Sequence, residues 1–236
     1  MSEKKVIISI GGSVLVPGID DASYIRRLAG LLRELSESAP LIVVCGGGRV
    51  SRYYSETGKA LGGSEFQLDE LGIGVTRLNA ALLSIALGDG AAGVPATPAE
   101  AVAESQRRRI VVMGGTEPGH TTDAVAAMVA REAGARLIVN ATSVDSVYSA
   151  DPRADPGARR LPRLTIDELG ALVYSEHGAG RSGVFDPLGV RIAKDCGIDI
   201  AIVDGRDDSE IRGAVLGTGI RGTYVDSRAA APDRTT

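Results

Sequence analysis

Three apolar runs in this sequence end on glycines, and the residues after those glycines are of the kind that hold anions. The stretch "SIGGSVLV" at 9–16 offers Gly11, Gly12 and Ser13, and "VVCGGGRVSR" at 43–52 offers Gly46, Gly47 and Gly48 followed by Arg49 and Arg52. A third, "VVMGGTEPGHTTDAV" at 111–125, closes on a hydroxyl pair and an aspartate. Glycine lets backbone approach a ligand closely, and a helix start presents N–H groups and the positive end of a dipole, so both devices favour phosphate. Thr121 or Thr122 is placed to cap a helix opening near Asp123. Arg49 and Arg52, three apart, share a helical face. Each loop alone also reads as a plain tight turn; three in one chain point to phosphate-bearing ligands. The second loop is not a dinucleotide fingerprint, because Ser51 stands where the third glycine belongs, and no GK[ST] loop occurs anywhere.

A fourth stretch, "TSVDSVYSADP" at 142–152, groups Asp145, Tyr148 and Asp151 after an apolar run. It suits an adenine ring and ribose, and equally an ordinary Asp-Pro turn. Nothing rivals these loops as a source of chemistry. His120 and His177 have no Cys or His at zinc spacing, so no metal site is expected from side chains alone. His120 reads as a loop residue beside the ligand and not as a base. No G-x-S-x-G elbow is present. A chain with this few cations must gather phosphates with backbone N–H groups, a few arginines and a metal ion, for which Mg²⁺ is the natural choice.

The elements that must carry these loops are legible as runs. Continuous β-branched segments at 6–10, 41–45, 110–113, 137–141 and 200–203 read as strands covered on both faces of a parallel sheet. Between them, Asp20 or Asp21 caps a helix with Ile25, Leu28, Leu32 and Leu35 on its apolar face. Further helices are expected over 77–87 with Gly88 as the stop, over 123–133 with Gly134 beyond it, and over about 187–195. Strand and helix in alternation predict an α/β fold, a three-layer αβα sandwich on a central, mainly parallel sheet. In such sheets ligands sit beyond the carboxyl ends of strands, so the three glycine loops should face one crevice. The segment 150–164, with Pro152, Pro156 and Pro162, reads as a long ordered loop or lobe boundary, and the tail 227–236 as frayed.

Bulk properties narrow the class. The net charge of −4 excludes the basic excess of a nucleic-acid binder, and "RRR" at 107–109 reads as a solvated helix end. No run of about 18 apolar residues predicts a membrane span, and the start "MSEKKVIISIGGS" reads as a first strand and not as a signal peptide. Cys45 and Cys196, the only two cysteines, read as buried thiols of a reducing compartment, which places the chain in the cytoplasm. Thirty-one glycines against two Phe and no Trp again assign the binding work to backbone.

Taken together, "MGGTEPGHTTDAVAA", "DELGIGVTRLNA" at 69–80 and "SVYSADP" at 146–152 resemble the archaeal type of uridylate (UMP) kinase within the amino acid kinase family, over about residues 5–226. The resemblance implies transfer of the γ-phosphoryl group of ATP directly in line to UMP, giving UDP and ADP in pyrimidine nucleotide biosynthesis, with Mg²⁺. It implies an N-terminal lobe at 1–135 for UMP and a C-terminal lobe at 136–226 for ATP. On matching positions, Gly47 would contact UMP, Asp69 would accept hydrogen bonds from the ribose hydroxyls, and the loop Thr116, Glu117, Pro118, Gly119, His120, Thr121 and Thr122 would wrap the nucleotide. Gly12, Ser13, Gly48 and Arg52 would lie towards the ATP phosphates, and Thr142, Tyr148 and Asp151 would form the base and ribose pocket. Asp123 and Arg52 are the residues assigned to the transfer itself. A homo-oligomer, a hexamer built from dimers, is implied as well, with neither nucleic acid nor membrane as partner.

Two departures accompany the resemblance. Many relatives in the wider family carry a lysine on the first strand where this chain has Ser9; archaeal UMP kinases lack it too. The usual "TNVDGVY" reads "TSVDSVY", with Ser143 and Ser146 for Asn and Gly, and a Ser in a left-handed turn at 146 would cost about 1 kcal/mol. Two rival readings stand beside UMP kinase: a kinase of the same fold for another small phosphate, such as isopentenyl phosphate, and a non-catalytic oxyanion- or nucleotide-binding protein.

Overall fold

The computed structural model describes residues 4–18, 21–88, 93–176 and 184–228; His177, Asp20 and all of the tail but Ser227 and Arg228 lie outside the described residues. The chain begins with β1 (Val6–Ile10), α1 (Gly12–Leu15), α2 (Asp21–Ser36), β2 (Leu41–Cys45), α3 (Gly48–Ala60) and α4 (Glu65–Leu87). It continues through α5 (Pro98–Glu104), β3 (Ile110–Met113), α6 (Thr122–Ala133), β4 (Leu137–Thr142) and β5 (Arg163–Thr165). Last come α7 (Ile166–Glu176), α8 (Pro187–Cys196), β6 (Asp199–Asp204), α9 (Asp208–Leu216) and β7 (Thr223–Asp226). All seven strands join one sheet in the order β3-β2-β1-β4-β6-β7-β5, parallel at every pairing except β6 with β7.

Because successive strand side chains face opposite ways, β1 feeds two cores at once. Ile7 joins Ile42, Val44, Ile138 and the helices α5 to α8 on one face. Ile8 and Ile10 join Val43, Val139 and the helices α2, α4 and α9 on the other. Both faces are therefore dry, as the unbroken apolar runs require. In α2, Ile25, Leu28, Leu32 and Leu35 are all buried at helical spacing, each contributing roughly 1.5–3 kcal/mol by leaving water. Caps end the helices where expected: Thr121 accepts the Ala124 amide at the start of α6, and Gly88 and Gly134 adopt left-handed φ of 81° and 63° after α4 and α6.

The structure corrects several expectations. The helix expected over 77–87 begins at Glu65, behind a capping box of Ser64 and Gln67, and runs straight through Gly72 and Gly74. It is also long and apolar enough to cross a membrane by length and composition, with a mean hydropathy of 1.3 and only a third of that window buried. Segment 150–164 is a loop until its last two residues, which open β5; an antiparallel bridge between Tyr148 and Arg160 and Asx turns at Asp151 and Asp155 hold it. Of the two free cysteines, Cys45 is buried and its thiol is pushed up to about 12 by desolvation, whereas Cys196 is partly exposed.

Candidate phosphate-transfer site

Parallel pairing brings the ends of β1, β2 and β3 to one edge; the second and third glycine loops share one cavity, through Gly47 and residues 119–122, and the first packs against the second. Their glycines, however, serve each other first. A Cβ on Gly12 would sit 2.3 Å from the Gly48 nitrogen and 2.4 Å from the Gly46 carbonyl oxygen, and one on Gly46 would sit 2.7 Å from the Gly12 nitrogen. Backbone thus touches backbone between the first two loops, and Gly48 holds a φ of +64° to allow it. Beside this contact, Arg52 on α3 donates to the Ser13 hydroxyl at 3.2 Å, so the two side chains assigned to the ATP phosphates meet.

A cavity of about 360 Å³ opens between α3, α4 and the start of α6. Gly47, Asp69, Gly119, His120, Thr121 and Thr122 line it, which gathers most of the residues assigned to UMP. Thr116 and Glu117 line a separate 330 Å³ cavity with Met128 and Arg131, and Pro118 lines neither. Asp69 accepts from the Gly119 amide at 2.7 Å, tying the loop down onto α4. Thr121, besides capping α6, donates to Asp186 at 2.8 Å, and Asp186 in turn caps α8 through the Leu188 and Gly189 amides. His120 Nδ1 lies 3.3 Å from Glu117 Oε1 without making a hydrogen bond. It and Thr116 Oγ1 are the buried side-chain polar atoms left without a partner among the described residues, and both belong to this loop.

Asp123 sits one residue past the loop. The residue is partly exposed, but its carboxyl group lies inside, and burial pushes its pKa up to about 6, against the pull of a 2.9 Å hydrogen bond from Ser9 and with the help of the nearby Asp186 charge. Ser9 therefore addresses this carboxylate from β1, inside the sheet.

A second cluster is built of charge. Tyr148 donates to Asp145 at 3.2 Å, and Arg160 pairs with the same carboxylate at 3.1 Å. Asp145 and Arg160 join Asp204, Asp207, Glu210 and Arg221 around a 290 Å³ cavity. Thr142 ends β4, Tyr148 reaches the cavity's rim only through Asp145, and Asp151 is exposed with its carboxylate spent on the Arg153 amide; none of the three lines it. Ser146 is buried, its hydroxyl lies 2.8 Å from that of Thr223, and Thr223 accepts the Val147 amide. Glu210, also buried, accepts the Arg221 and Gly222 amides and the Arg221 guanidinium.

Sequence reading missed three residues on α4. Thr76 accepts the Gly115 amide at 2.7 Å, Arg77 donates to the carbonyls of Gly115 and Thr116, each at 3.1 Å, and Asn79 donates to the Gly46 carbonyl at 2.8 Å. The available signal was Thr76 and Asn79, polar residues three apart on an otherwise apolar helix face.

Comparison with known proteins follows the same line. A model of the amino acid kinase family matches residues 4–204. The uridylate kinase of Methanoculleus marisnigri is 42% identical over 97% of this chain and 98% of that protein, and that of Methanothermobacter thermautotrophicus is 42% identical over 90% and 96%. Among solved structures, the crystal structure of uridylate kinase from Archaeoglobus fulgidus superposes with a TM-score of 0.84 at 39% identity, covering 94% of this chain and 99% of that one. The UMP kinase of Bacillus anthracis shares the fold, with a TM-score of 0.80 at 19% identity over 98% and 99%.

Proposed function

The chain belongs to the amino acid kinase family, and from that premise we propose that it transfers the γ-phosphoryl group of ATP to UMP, giving UDP and ADP. The observation that carries this reading is the 360 Å³ cavity whose wall includes the first turn of α6. Thr121 satisfies the Ala124 amide, and the amides of Thr122 and Asp123 open the helix without an intrahelical acceptor, at the positive end of the dipole. Such a wall suits the UMP phosphate, with Asp69 set towards the ribose and Gly47 beneath. The Ser13 and Arg52 pair, on the joined glycine loops, faces the ATP phosphates.

Phosphoryl transfer between two phosphates asks the protein for alignment and for neutralised charge. A nucleotide phosphate is already ionised at neutral pH, so the acceptor needs no base, and transfer is direct, without a phosphoenzyme. Bound with ATP, magnesium would supply charge neutralisation at the phosphate oxygens. An ion carried on nucleotide phosphates takes one or two protein carboxylates, and Asp123, with Asp186 close by, fits that donor set. Above a pH of about 6 Asp123 is ionised and holds the Ser9 hydroxyl in place.

Residues 1–135 bind the acceptor and 136–226 the ATP base and ribose, through Thr142, Tyr148 and Asp151. The chain works in the cytoplasm as a homo-oligomer, a hexamer, on diffusible nucleotides, with no nucleic acid or membrane partner. Support for assembly comes from α4, whose outer side leaves Phe66, Leu78 and Ile85 more than 60% exposed. Light scattering behind size exclusion tests the assembly. A coupled assay of ADP release with UMP, CMP, isopentenyl phosphate or no acceptor tests the reaction: UMP alone should drive turnover. Equal rates with CMP would overturn the specificity, and silence with every acceptor would overturn the activity.

A further inference from the structure

The acceptor loop is moored at both ends to one helix. At its far end the Gly119 amide is held by Asp69, and at its near end Gly115 and Thr116 are held by Thr76 and Arg77. Asp69 and Arg77 are eight residues apart on α4, which at 1.5 Å per residue sets their Cα atoms about 12 Å apart along the axis. The near mooring is the tighter one. Gly114 lies directly against α4, where a Cβ would come within 2.7 Å of the Arg77 nitrogen and the Thr76 hydroxyl oxygen. Arg77 uses Nε for the Gly115 carbonyl and Nη2 for the Thr116 carbonyl, one planar fork spanning two successive peptides. A trans peptide sets its N–H opposite its C=O, so turning these two carbonyls to Arg77 fixes the direction of the Thr116 and Glu117 amides as well.

We propose that Arg77 is a positioning residue for the acceptor nucleotide: it sets the path of the loop 115–119 and thereby the shape of the UMP cavity, without touching UMP itself. The proposal rests on the UMP kinase reading. It separates Arg77 from the ATP side, because its two bonds go only to the acceptor loop. Lysine, with a single charged centre, can serve one carbonyl well but not both in one plane.

The test uses the full chain with Arg77→Gln, Arg77→Lys and Thr76→Val, varying UMP and ATP separately and recording thermal melting alongside. Arg77→Gln is expected to raise KM for UMP about tenfold or more while kcat changes less than about threefold and KM for ATP less than about twofold. Arg77→Lys should recover part of that loss, and Thr76→Val should shift KM in the same direction by less. A lower melting temperature with KM for UMP unchanged would reduce Arg77 to a structural residue and overturn the proposal, as would equal rises in both KM values. If Arg77→Gln does not fold, the lysine and Thr76 variants carry the same comparison. Absence of UMP turnover in the unmodified chain removes the underlying reading too; normal turnover with an unmoved KM in the variants removes this proposal alone.

Discussion

The loops after β1 and β2 are held by backbone lying on backbone, with Gly12 against Gly46 and Gly48, and the loop after β3 by Gly114 against α4 together with Thr76, Arg77 and Asp69, whereas ion pairs gather around the loops after β4 and β6. The first construction leaves no room for a methyl group and does not depend on salt. The second sits largely in water, where ion pairs are screened and worth little one by one. The difference suits the two jobs assigned to them. A phosphate in transfer tolerates little misplacement, while a base and ribose bound beyond the reacting atoms tolerate more.

The sharpest way to break this contrast is Gly12→Ala. Its Cβ has nowhere to go among the Gly46, Gly47 and Gly48 backbones, so kcat/KM should fall about a hundredfold or more, with about 1–3 kcal/mol of stability lost in denaturant melts. Wild-type activity in this variant would mean that the loops move freely and that the contrast is false. Next comes Asp123→Asn. The folded pKa of Asp123, about 6, lies above its unfolded value near 3.8, so the protonated form favours the fold. That contribution is complete below about pH 4 and is lost as pH rises through 6. The ligand-free variant should therefore be the more stable protein above pH 7, by about two pH units at roughly 1.4 kcal/mol each, and equal to wild type near pH 4. Its activity should nonetheless drop steeply, and melts across pH check both halves.

Much of this was readable beforehand, and the failures have physical causes. Five strands were legible because both of their faces are buried, which forces unbroken runs such as "LIVVC". The other two, β5 with "RLT" and β7 with "TYVD", are short and carry polar residues, and the buried Thr223 has its hydroxyl met by Ser146, the Val147 amide and the Leu161 carbonyl. The first half of α4 escaped notice because Gly72 and Gly74 discourage a helix that its capping box and packing nonetheless hold. In the site, glycines announced the loops, but not that Gly12 would press on Gly48. Nor does a one-dimensional pattern reveal that Arg77 turns back to a loop thirty-eight residues further on.

Two milder changes sharpen the comparison from the charged side. Glu210→Gln should cost about 1–3 kcal/mol, because the buried carboxylate accepts two amides and a guanidinium, while KM for UMP stays within about twofold. Arg206→Ala should cost at most about 1 kcal/mol, and high salt should erase the part due to its pair with Asp204, which is exposed on the arginine side, leaving only the bond to the Ser143 carbonyl. A large, salt-independent loss here would place rigidity in both halves and dissolve the distinction.

Cys45 closes β2, between β3 and β1, fully shielded and with a thiol that resists ionisation, whereas Cys196 is partly exposed at the end of α8. Alkylating reagents attack thiolates, so the native chain should take up one label promptly and the second only when the packing around β1, β2 and β3 opens. The chain carries its own stopwatch for global opening, and the delay between the two labels, with and without bound nucleotide, reads how far a ligand slows that event.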